Sequence, residues 1–284
     1  MTDQLYVFDT TLRDGELSDG VRFTAADRIA IASRLAHAGV DVIEIGVAGG
    51  SPEETRDLRA VVAEVRTATL CVLAPPDAID AAGDLLRGAA SGRIHVFQGV
   101  GVAGRDQAAE RAEGMARRAR SFVADVEFTA VNGVHGDLDG LVELVGAALR
   151  GGATIISVAD TAGRALPEEV SARVGALEAR VPELTAARVS FHGHDDLGLA
   201  TACSLAAIRA GARQIEVAMN GLGARAGNAP LEELVTALHV HGDSLGVHTG
   251  VDAQHLCALS RLVEEATGFV VPPNKAVVGR NAKS

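Results

Sequence analysis

Two hydrophobic patterns alternate along the chain: short apolar runs and longer amphipathic segments. The runs are mostly continuous in apolar character, which is typical of strands covered on both faces. Segments with helical spacing, such as DRIAIASRLAHAG and LDGLVELVGAALRGG, lie between them, and several end in glycine, a common helix stop. The eight predicted strands are Leu5–Asp9, Val42–Gly46, Thr69–Leu73, Ile94–Gln98, Val126–Thr129, Thr154–Val158, Arg188–His192 and Gln214–Ala218.

This alternation predicts an α/β protein with a closed (β/α)₈ (TIM) barrel. Eight strand–helix units at a period of roughly 30 residues suit a barrel better than an open doubly wound sheet, which is the alternative. No G-x-G-x-x-G follows the first strand, so a dinucleotide-binding fold has no support. We expect a barrel domain over 1–245 and a short helical extension over 246–284, without a regulatory domain.

Composition narrows the classes of function. The net charge of −11 would repel phosphates, so a nucleic-acid partner is not expected. The beginning of the chain does not resemble a signal peptide, and no run of about 18 apolar residues predicts a membrane span. The cysteines, Cys71, Cys203 and Cys257, lie in apolar stretches without paired spacing, so we predict reduced core residues of a cytoplasmic protein.

Polar residues gather where the first and seventh strands end, which is where barrel enzymes carry their chemistry. After the first strand, the carboxylates and the arginine of Asp9–Glu16 form either a charged loop, in which Arg13 bridges Asp9 or Asp14, or part of a metal site. His192 and His194 are two residues apart on an extended segment, so both imidazoles can face one ion. Asp195 and Asp196 either orient these imidazoles or cap the next helix.

Three further strands add polar groups. The loop after the eighth strand carries Asn228, which can face the same ion in a closed barrel. Glu44 and Glu127 alternate with apolar neighbours, so both should point into the barrel mouth. Each is either the partner of an arginine such as Arg13 or a proton-transfer group. The partner role is favoured for Glu44, and the two roles are equally weighted for Glu127.

Five strings, FDTTLRDGE, IEIG, DTAG, HGHDDLG and GLGARAGNAPLEELV, together resemble the DRE-TIM metallolyase superfamily in order and spacing. The strings GNAPLEELV and PPNKAVVGRNA narrow the resemblance to the Claisen-condensing branch of isopropylmalate, homocitrate and citramalate synthases. The resemblance implies a divalent metal, Mg²⁺, Mn²⁺ or Zn²⁺, and acetyl-CoA as co-substrate of a 2-oxo acid. It also implies a homodimer.

Residue roles follow from the same resemblance. Arg13 matches the arginine that holds the 2-oxo-acid carbonyl and the developing alkoxide, and Thr161 matches the threonine that binds the substrate carboxylate. Glu127 matches an acidic position after the fifth strand that takes part in acid–base work or acyl-CoA binding. The metal-ligand positions match Asp14, His192, His194 and Asn228.

The sequence departs from the family around the substrate. Leu17 and Ala224 replace a glutamine and a glutamate, a turn of Val47–Gly50 replaces the usual Phe-Pro or His-Pro, and a glycine-rich loop, Gln98–Asp106, replaces a histidine element. We therefore hypothesise a specialised biosynthetic homologue. Arg105 would admit an anionic 2-oxo acid, and a bulky hydrophobic side chain beside Val47 is the competing possibility.

The chain stops where the family usually continues into a subdomain that supplies a catalytic histidine. Either the polypeptide is truncated, or its general base comes from elsewhere in the chain. The internal candidates are His95, His135 and Glu127, of which His135 is the best placed because it follows the fifth strand. The alternative function is a metal-dependent carbon–carbon lyase of the hydroxymethylglutaryl-CoA type, which would use the same metal and arginine. The third hypothesis is a barrel without catalytic activity.

Overall fold

Eight parallel strands form a closed barrel in the computed structural model, which describes residues 2–101 and 104–282. The barrel closes because the last strand pairs with the first, with Tyr6 opposite Gln214 and Asp9 opposite Val217. The prediction of a (β/α)₈ barrel is confirmed. The strands are β1 (Tyr6–Asp9), β2 (Val42–Val47), β3 (Thr69–Leu73), β4 (Gly92–Gly99), β5 (Asp125–Val131), β6 (Ile155–Asp160), β7 (Arg188–Gly193) and β8 (Gln214–Val217).

Helices follow the strands, and local sequence sets where several of them begin. Thr24 and Asp27 form a capping box at the start of the first helix, and Ser51 and Glu54 form another at the second. The helices are α1 (Ala25–His37), α2 (Pro52–Glu64), α3 (Ile79–Leu86), α4 (Arg105–Arg120), α5 (Leu138–Gly151), α6 (Pro167–Arg180), α7 (Ala200–Arg209), α8 (Leu231–Leu245) and α9 (Leu256–Thr267). None of the helices in the described ranges is both long and apolar enough to cross a bilayer.

The extension after α8 returns to the barrel wall. Val247–His248 pairs in parallel with Asp3–Gln4 as a two-stranded sheet, and α9 packs against α1. The division of the chain after residue 245 stays a prediction. Val102 and Ala103, which belong to the predicted glycine-rich loop, lie outside the described residues.

One cysteine is not a core residue. Cys71 and Cys203 are buried and free, as predicted, but Cys257 is exposed. It follows Leu256, and the core positions of α9 are Leu256, Leu259, Ser260 and Val263. At 3.6 residues per turn, the position after Leu256 turns away from that face, so an apolar neighbourhood in sequence did not imply burial here.

The barrel interior is unusually polar. Barrels of this kind are commonly filled by branched aliphatic side chains. Here a small apolar cluster, Phe8, Val42 and Cys71, is separate from the main apolar core. Hydrogen bonds between strands that are not neighbours show that polar side chains meet inside the barrel. The buried polar residues on the strands are Asp9, Glu44, Arg93, His95, Glu127, Thr129, Ser157, Asp160, Ser190, His192, Gln214 and Glu216.

Glu127 lies at the floor of the barrel, the end formed by the amino termini of the strands. Its carboxylate accepts hydrogen bonds from Arg93 at 2.7 Å and from Gln214 at 2.9 Å. Both partners belong to the first two residues of their strands, β4 and β8. The expectation that Glu127 points into the mouth was wrong, because a strand residue that faces inward can still lie far below the strand's carboxyl end. Its arginine partner is Arg93 and not Arg13.

Removing the Glu127 carboxylate should destabilise the fold. Glu127→Ala leaves the 2 %-exposed Arg93 guanidinium without its fully buried partner, and breaking such a pair costs about 3–5 kcal/mol. The free energy of unfolding in urea measures the loss. The control is Asp84→Ala, which breaks the exposed pair with Arg87 and should cost less than about 1 kcal/mol. Equal losses in the two variants would contradict the buried pair.

Candidate metal centre

The loop after β1 turns sharply enough to bring Asp14 over the mouth of the barrel, the end formed by the carboxyl termini of the strands. The carbonyl oxygen of Thr10 accepts hydrogen bonds from the backbone N–H groups of Arg13, Asp14 and Gly15, at 3.1, 2.9 and 3.2 Å. Three donors on one acceptor wind the chain tightly at the strand end. Arg13 and Asp14 are consecutive in this turn, and the Arg13 guanidinium lies 2.7 Å from the Asp14 carboxylate.

His192 and His194 straddle the end of β7. Their Nε2 atoms lie 3.3 Å apart, as the two-residue spacing on an extended segment predicts. His194 forms an isolated antiparallel bridge with Asn228, and the Asp195 N–H donates to the Gly227 carbonyl at 2.9 Å. Only glycine fits at position 227, since its φ is +91° and a Cβ would lie 1.8 Å from the Gly221 carbonyl oxygen.

Four buried side chains from three loops converge at this point. Candidate ligand atoms of Asp14, His192 and His194 all lie within 4.8 Å of one another. The Asn228 carboxamide nitrogen lies 2.6 Å from Asp14 Oδ2, and Asn228 is fully buried. The structure therefore brings together the four residues that the sequence analysis singled out as metal ligands.

The donor set fits a divalent cation. In the described part of the chain, Asn228 Oδ1 and His194 Nδ1 are buried without a hydrogen-bond partner, which is costly unless something else satisfies them. Desolvation, and then the nearby His192, lower the pKa of His194 to about 4, which keeps its imidazole neutral. Desolvation raises the pKa of Asp14, but Arg13 and His192 outweigh it, and the net shift is downward. Carboxylate and carboxamide oxygens with imidazole nitrogens suit Mg²⁺, Mn²⁺ or Zn²⁺.

Glu216 holds His192 in place, and the sequence analysis missed it. Its carboxylate lies 2.8 Å from His192 Nδ1, the nitrogen that does not face His194, and it also accepts from Ser157. Carboxylates that bind the far nitrogen of a metal-binding histidine fix its orientation and tautomer. The signal was present in the string QIEV of β8, where a glutamate alternates with two apolar residues. Desolvation raises the pKa of Glu216, but His192 outweighs it, so the carboxylate stays charged.

Asp195 and Asp196 do not orient the imidazoles. Asp195 accepts a hydrogen bond from the N–H of Ala200, the first residue of α7, at 2.8 Å, which is the capping alternative. Asp196 binds Arg225 through two hydrogen bonds of 2.8 Å, and Arg225 also donates to the Thr161 carbonyl at 2.8 Å. Through these contacts the Arg225 side chain connects three loops at the mouth. Its backbone has a left-handed φ of 58°, in a loop whose other left-handed positions include several glycines.

Glu44 lies directly beneath Arg13. Its carboxylate accepts from Arg13 Nε at 2.5 Å and from the Thr10 hydroxyl at 2.7 Å, and it lies 2.7 Å from His95 Nδ1. These contacts place it as the arginine's partner, fully buried and behind the guanidinium. Arg13 is therefore held on one side by Glu44 and on the other by Asp14.

A cavity of about 190 Å³ lies above these groups. The polar and charged part of its lining, the charged wall, consists of Arg13, Asp14, His95, Thr129, Thr161, His192, His194 and Glu216. The apolar part, the apolar wall, consists of Leu73, Phe97, Val131 and Ala159. The cavity therefore offers a small ligand both charged, candidate metal-binding groups and apolar contacts.

Six predicted site residues do not line this cavity. Glu44 and Asn228 lie buried beside it and Glu127 lies at the floor; the other three are farther out. Val47 is 42 % exposed and lines a second cavity of about 260 Å³, which the two loops after β1 and β2 enclose and which Arg13 also borders. Arg105 begins α4 and binds Asp137 at 2.6 Å on the surface. His135 lies 3.6 Å from Asp160 with a side chain that is 37 % exposed.

The fold and these side chains define a class, a (β/α)₈ barrel with a candidate carboxylate–imidazole metal centre at the carboxyl ends of its strands. The HMGL-like family matches residues 4–263, and the chain belongs to that family.

Curated relatives give a consistent name. The 2-isopropylmalate synthase of Thiobacillus denitrificans is 44 % identical, over 99 % of this chain and 57 % of its own length. That of Pyrococcus abyssi is 42 % identical, over 98 % of this chain and 60 % of its own length. The chain thus spans little more than half the length of these relatives.

Solved structures of similar fold carry a different name. The hydroxymethylglutaryl-CoA lyase from Pseudomonas aeruginosa has a TM-score of 0.79 and 21 % identity, over 99 % of this chain and 98 % of its own. The HMG-CoA lyase from Brucella melitensis has a TM-score of 0.76 and 23 % identity, over 94 % and 100 %. At these identities the likeness establishes the fold alone.

Glu216→Gln should weaken metal binding without unfolding the barrel. Loss of a carboxylate behind a metal-binding histidine typically costs 10- to 100-fold in metal affinity, about 1.4–2.7 kcal/mol. Isothermal titration of the metal-free protein with Mn²⁺ measures the effect. The matched control, Glu113→Gln, removes a carboxylate from a surface ion pair of α4 and should leave the affinity unchanged. Equal affinities in wild type and Glu216→Gln would remove this role.

Proposed function

We propose that this chain catalyses the metal-dependent Claisen condensation of acetyl-CoA with a 2-oxo acid, which gives a 2-hydroxy-2-substituted dicarboxylic acid and free CoA. The observation that carries the proposal is the fixed guanidinium of Arg13 beside the four convergent side chains of the metal centre, in one small cavity. The name shared by the curated relatives, 2-isopropylmalate synthase, supports this direction of chemistry.

The residues divide the work on the 2-oxo acid. Asp14, His192, His194 and Asn228 would hold a cation that polarises the acceptor carbonyl as a Lewis acid. Arg13 adds fixed positive charge, and its contribution grows as negative charge develops on the carbonyl oxygen. Because Glu44 and Asp14 hold the guanidinium in place, little reorganisation is needed at the moment of reaction.

Thr161 supports the other end of the acceptor. Its hydroxyl oxygen accepts the backbone N–H of Asn132 at 2.8 Å, which leaves the hydroxyl hydrogen free to donate to a substrate carboxylate in the cavity. Arg225 fixes the Thr161 backbone through its carbonyl. The acceptor would thus be bound through its carboxylate and carbonyl, with its side chain directed away from the charged wall.

The apolar wall favours an aliphatic acceptor. Leu73, Phe97, Val131 and Ala159 offer no charge to a second carboxylate, and a buried unpaired carboxylate is expensive. Arg105, which the sequence analysis offered for an anionic acceptor, is bound to Asp137 away from this wall. We therefore propose a branched aliphatic 2-oxo acid of the 2-oxoisovalerate type over an anionic one. A homodimer and a cytoplasmic location belong to the same proposal.

A substrate panel tests the proposal. The chain is loaded with Mg²⁺, Mn²⁺ or Zn²⁺ and supplied with acetyl-CoA and one 2-oxo acid, and free thiol is measured. We expect release that depends on both the metal and the acceptor. 2-Oxoisovalerate should be preferred over 2-oxoglutarate by about 10-fold or more in kcat/KM, because a pocket fitted to one side chain discriminates by about 1–3 kcal/mol.

Controls separate this function from its alternative. Asp14→Ala removes a ligand and should abolish release, whereas Asp84→Ala on the surface should leave it intact. Cleavage of hydroxymethylglutaryl-CoA without thiol release from acetyl-CoA would replace the condensation by the lyase. A preference for 2-oxoglutarate would overturn the aliphatic acceptor and restore the anionic one.

A further inference from the structure

We propose that Glu44, His95 and Thr129 form a proton relay that delivers a proton to the acceptor's carbonyl oxygen as it becomes an alkoxide. The inference rests on the proposed condensation. It assigns a role to a buried imidazole that neither holds the metal nor takes part in the fold's ion pairs at the floor. Three geometrical observations carry it.

The first is the chain of contacts. Glu44 Oε1 lies 2.7 Å from His95 Nδ1, and His95 Nε2 lies 2.6 Å from the Thr129 hydroxyl oxygen. Both ring nitrogens are therefore engaged, and the imidazole, which is only 2 % exposed, has one fixed orientation. His95 and Thr129 both line the cavity that contains Arg13 and the metal centre.

The second observation is the size of that cavity. A space of about 190 Å³ admits one small acceptor, and Arg13, Thr129 and three of the candidate metal ligands all line it, so an acceptor bound there would share the cavity with the Thr129 hydroxyl. Thr129 is the hydroxyl in the cavity lining next to His95, and its hydrogen can point into the cavity only when its oxygen accepts a hydrogen bond from His95 Nε2–H. The protonation state of His95 thus decides whether Thr129 donates or accepts on the cavity side.

The third observation is the commitment of the other titratable groups. Asp14, His192 and His194 belong to the metal centre, and Glu216 is bound to His192, Ser157 and Ser190. Glu127 is paired with Arg93 at the floor, and His135 is not on the cavity wall. Among the described residues that line the cavity, His95 is the titratable side chain left for proton transfer.

The relay moves two protons, and its net result is the transfer of one proton from His95 to the alkoxide. The N–H bond at His95 Nε2 breaks as a proton passes to the Thr129 oxygen, and the Thr129 O–H bond breaks as its proton passes to the alkoxide. The product gains a hydroxyl, Thr129 is unchanged, and His95 is left neutral with its Nδ1–H donating to Glu44. Solvent returns a proton to His95 before the next cycle. No oxidant, reductant or second reactant is needed.

The surroundings of His95 favour the protonated form that the relay requires. Burial alone would lower the pKa of His95, but the Glu44 carboxylate outweighs it and raises the pKa above the usual 6.5. Glu127 and Glu216 act in the same direction. The Cys71 thiol lies within 4.8 Å of the Glu44 and His95 ligand atoms and stays neutral, because burial raises its pKa. The Arg13 cation opposes the shift from behind Glu44.

Activity variants test the relay. His95→Gln and Thr129→Val should each lower kcat by about 100-fold, the usual scale of a lost proton-transfer group, with little change in the KM of the 2-oxo acid. Thr129→Ser keeps the hydroxyl and should retain most of the rate. The double variant should be no slower than either single variant, because both remove one pathway. His37→Gln, on the exposed end of α1, is the control.

The pH profile of kcat tests which protonation state of His95 is the active one. Since the protonated form of His95 is active, kcat of the wild type should fall as pH rises through its raised pKa, and His95→Gln should lose that limb. An unchanged limb in His95→Gln, or additive losses in the double variant, would overturn the relay even when thiol release itself is intact. Absence of thiol release from the wild type would instead remove the proposed condensation.

A measurement that does not depend on turnover tests the relay even if the wild type releases no thiol. In ¹⁵N-histidine NMR spectra of the folded protein, Thr129→Val should lower the pKa of His95 relative to wild type, because the hydroxyl oxygen stabilises the imidazolium by accepting its Nε2–H. Thr129→Ser should restore the wild-type value. An identical His95 titration in wild type and Thr129→Val would show that the two groups are not linked, and the relay would be wrong.

Discussion

A single buried hydrogen-bonded column inside the barrel connects its floor to the metal centre. Arg93 binds Glu127 and Gln214, Gln214 donates to Ser190 at 3.1 Å, Ser190 donates to Glu216, and Glu216 holds His192. Each charged member would cost several kcal/mol if it were buried alone, so every contact in the column is needed by the next one. The His192 imidazole at the candidate metal centre is thus linked through hydrogen bonds to an ion pair at the opposite end of the barrel.

A second column, beside the first, serves the arginine. Glu44 joins Thr10 and Arg13 at the mouth to His95 and, through it, Thr129 on the cavity wall. The two columns explain how the interior of this barrel accommodates so many buried polar residues. The polar groups satisfy one another across the interior, and the apolar faces of the strands and helices meet outside it.

The cavity combines a fixed charged wall with a plain apolar one. The charged wall belongs to loops tied to each other by Arg225, by the His194–Asn228 bridge and by the turn around Thr10. The apolar wall belongs to residues on β3–β6, at or near their carboxyl ends. In the proposed function, the charged wall would set the chemistry and the apolar wall the choice of acceptor, a division that suits a fold used for many reactions.

The sequence by itself determined the barrel and the eight strands to within a few residues, because local periodicity is visible in a single chain. It also supplied the four residues that converge at the candidate metal centre, through the resemblance of its motifs to a known family and the rule that strand ends meet at one edge. The tertiary structure alone decided how far along the barrel axis each inward side chain lies and which group it contacts. It placed Glu127 at the floor with Arg93, made Glu216 the support of His192, and turned Arg105 and His135 away from the cavity. Those outcomes depend on contacts between strands and loops that lie far apart in the chain, and no local pattern encodes the level at which an inward side chain sits or the group that it meets there.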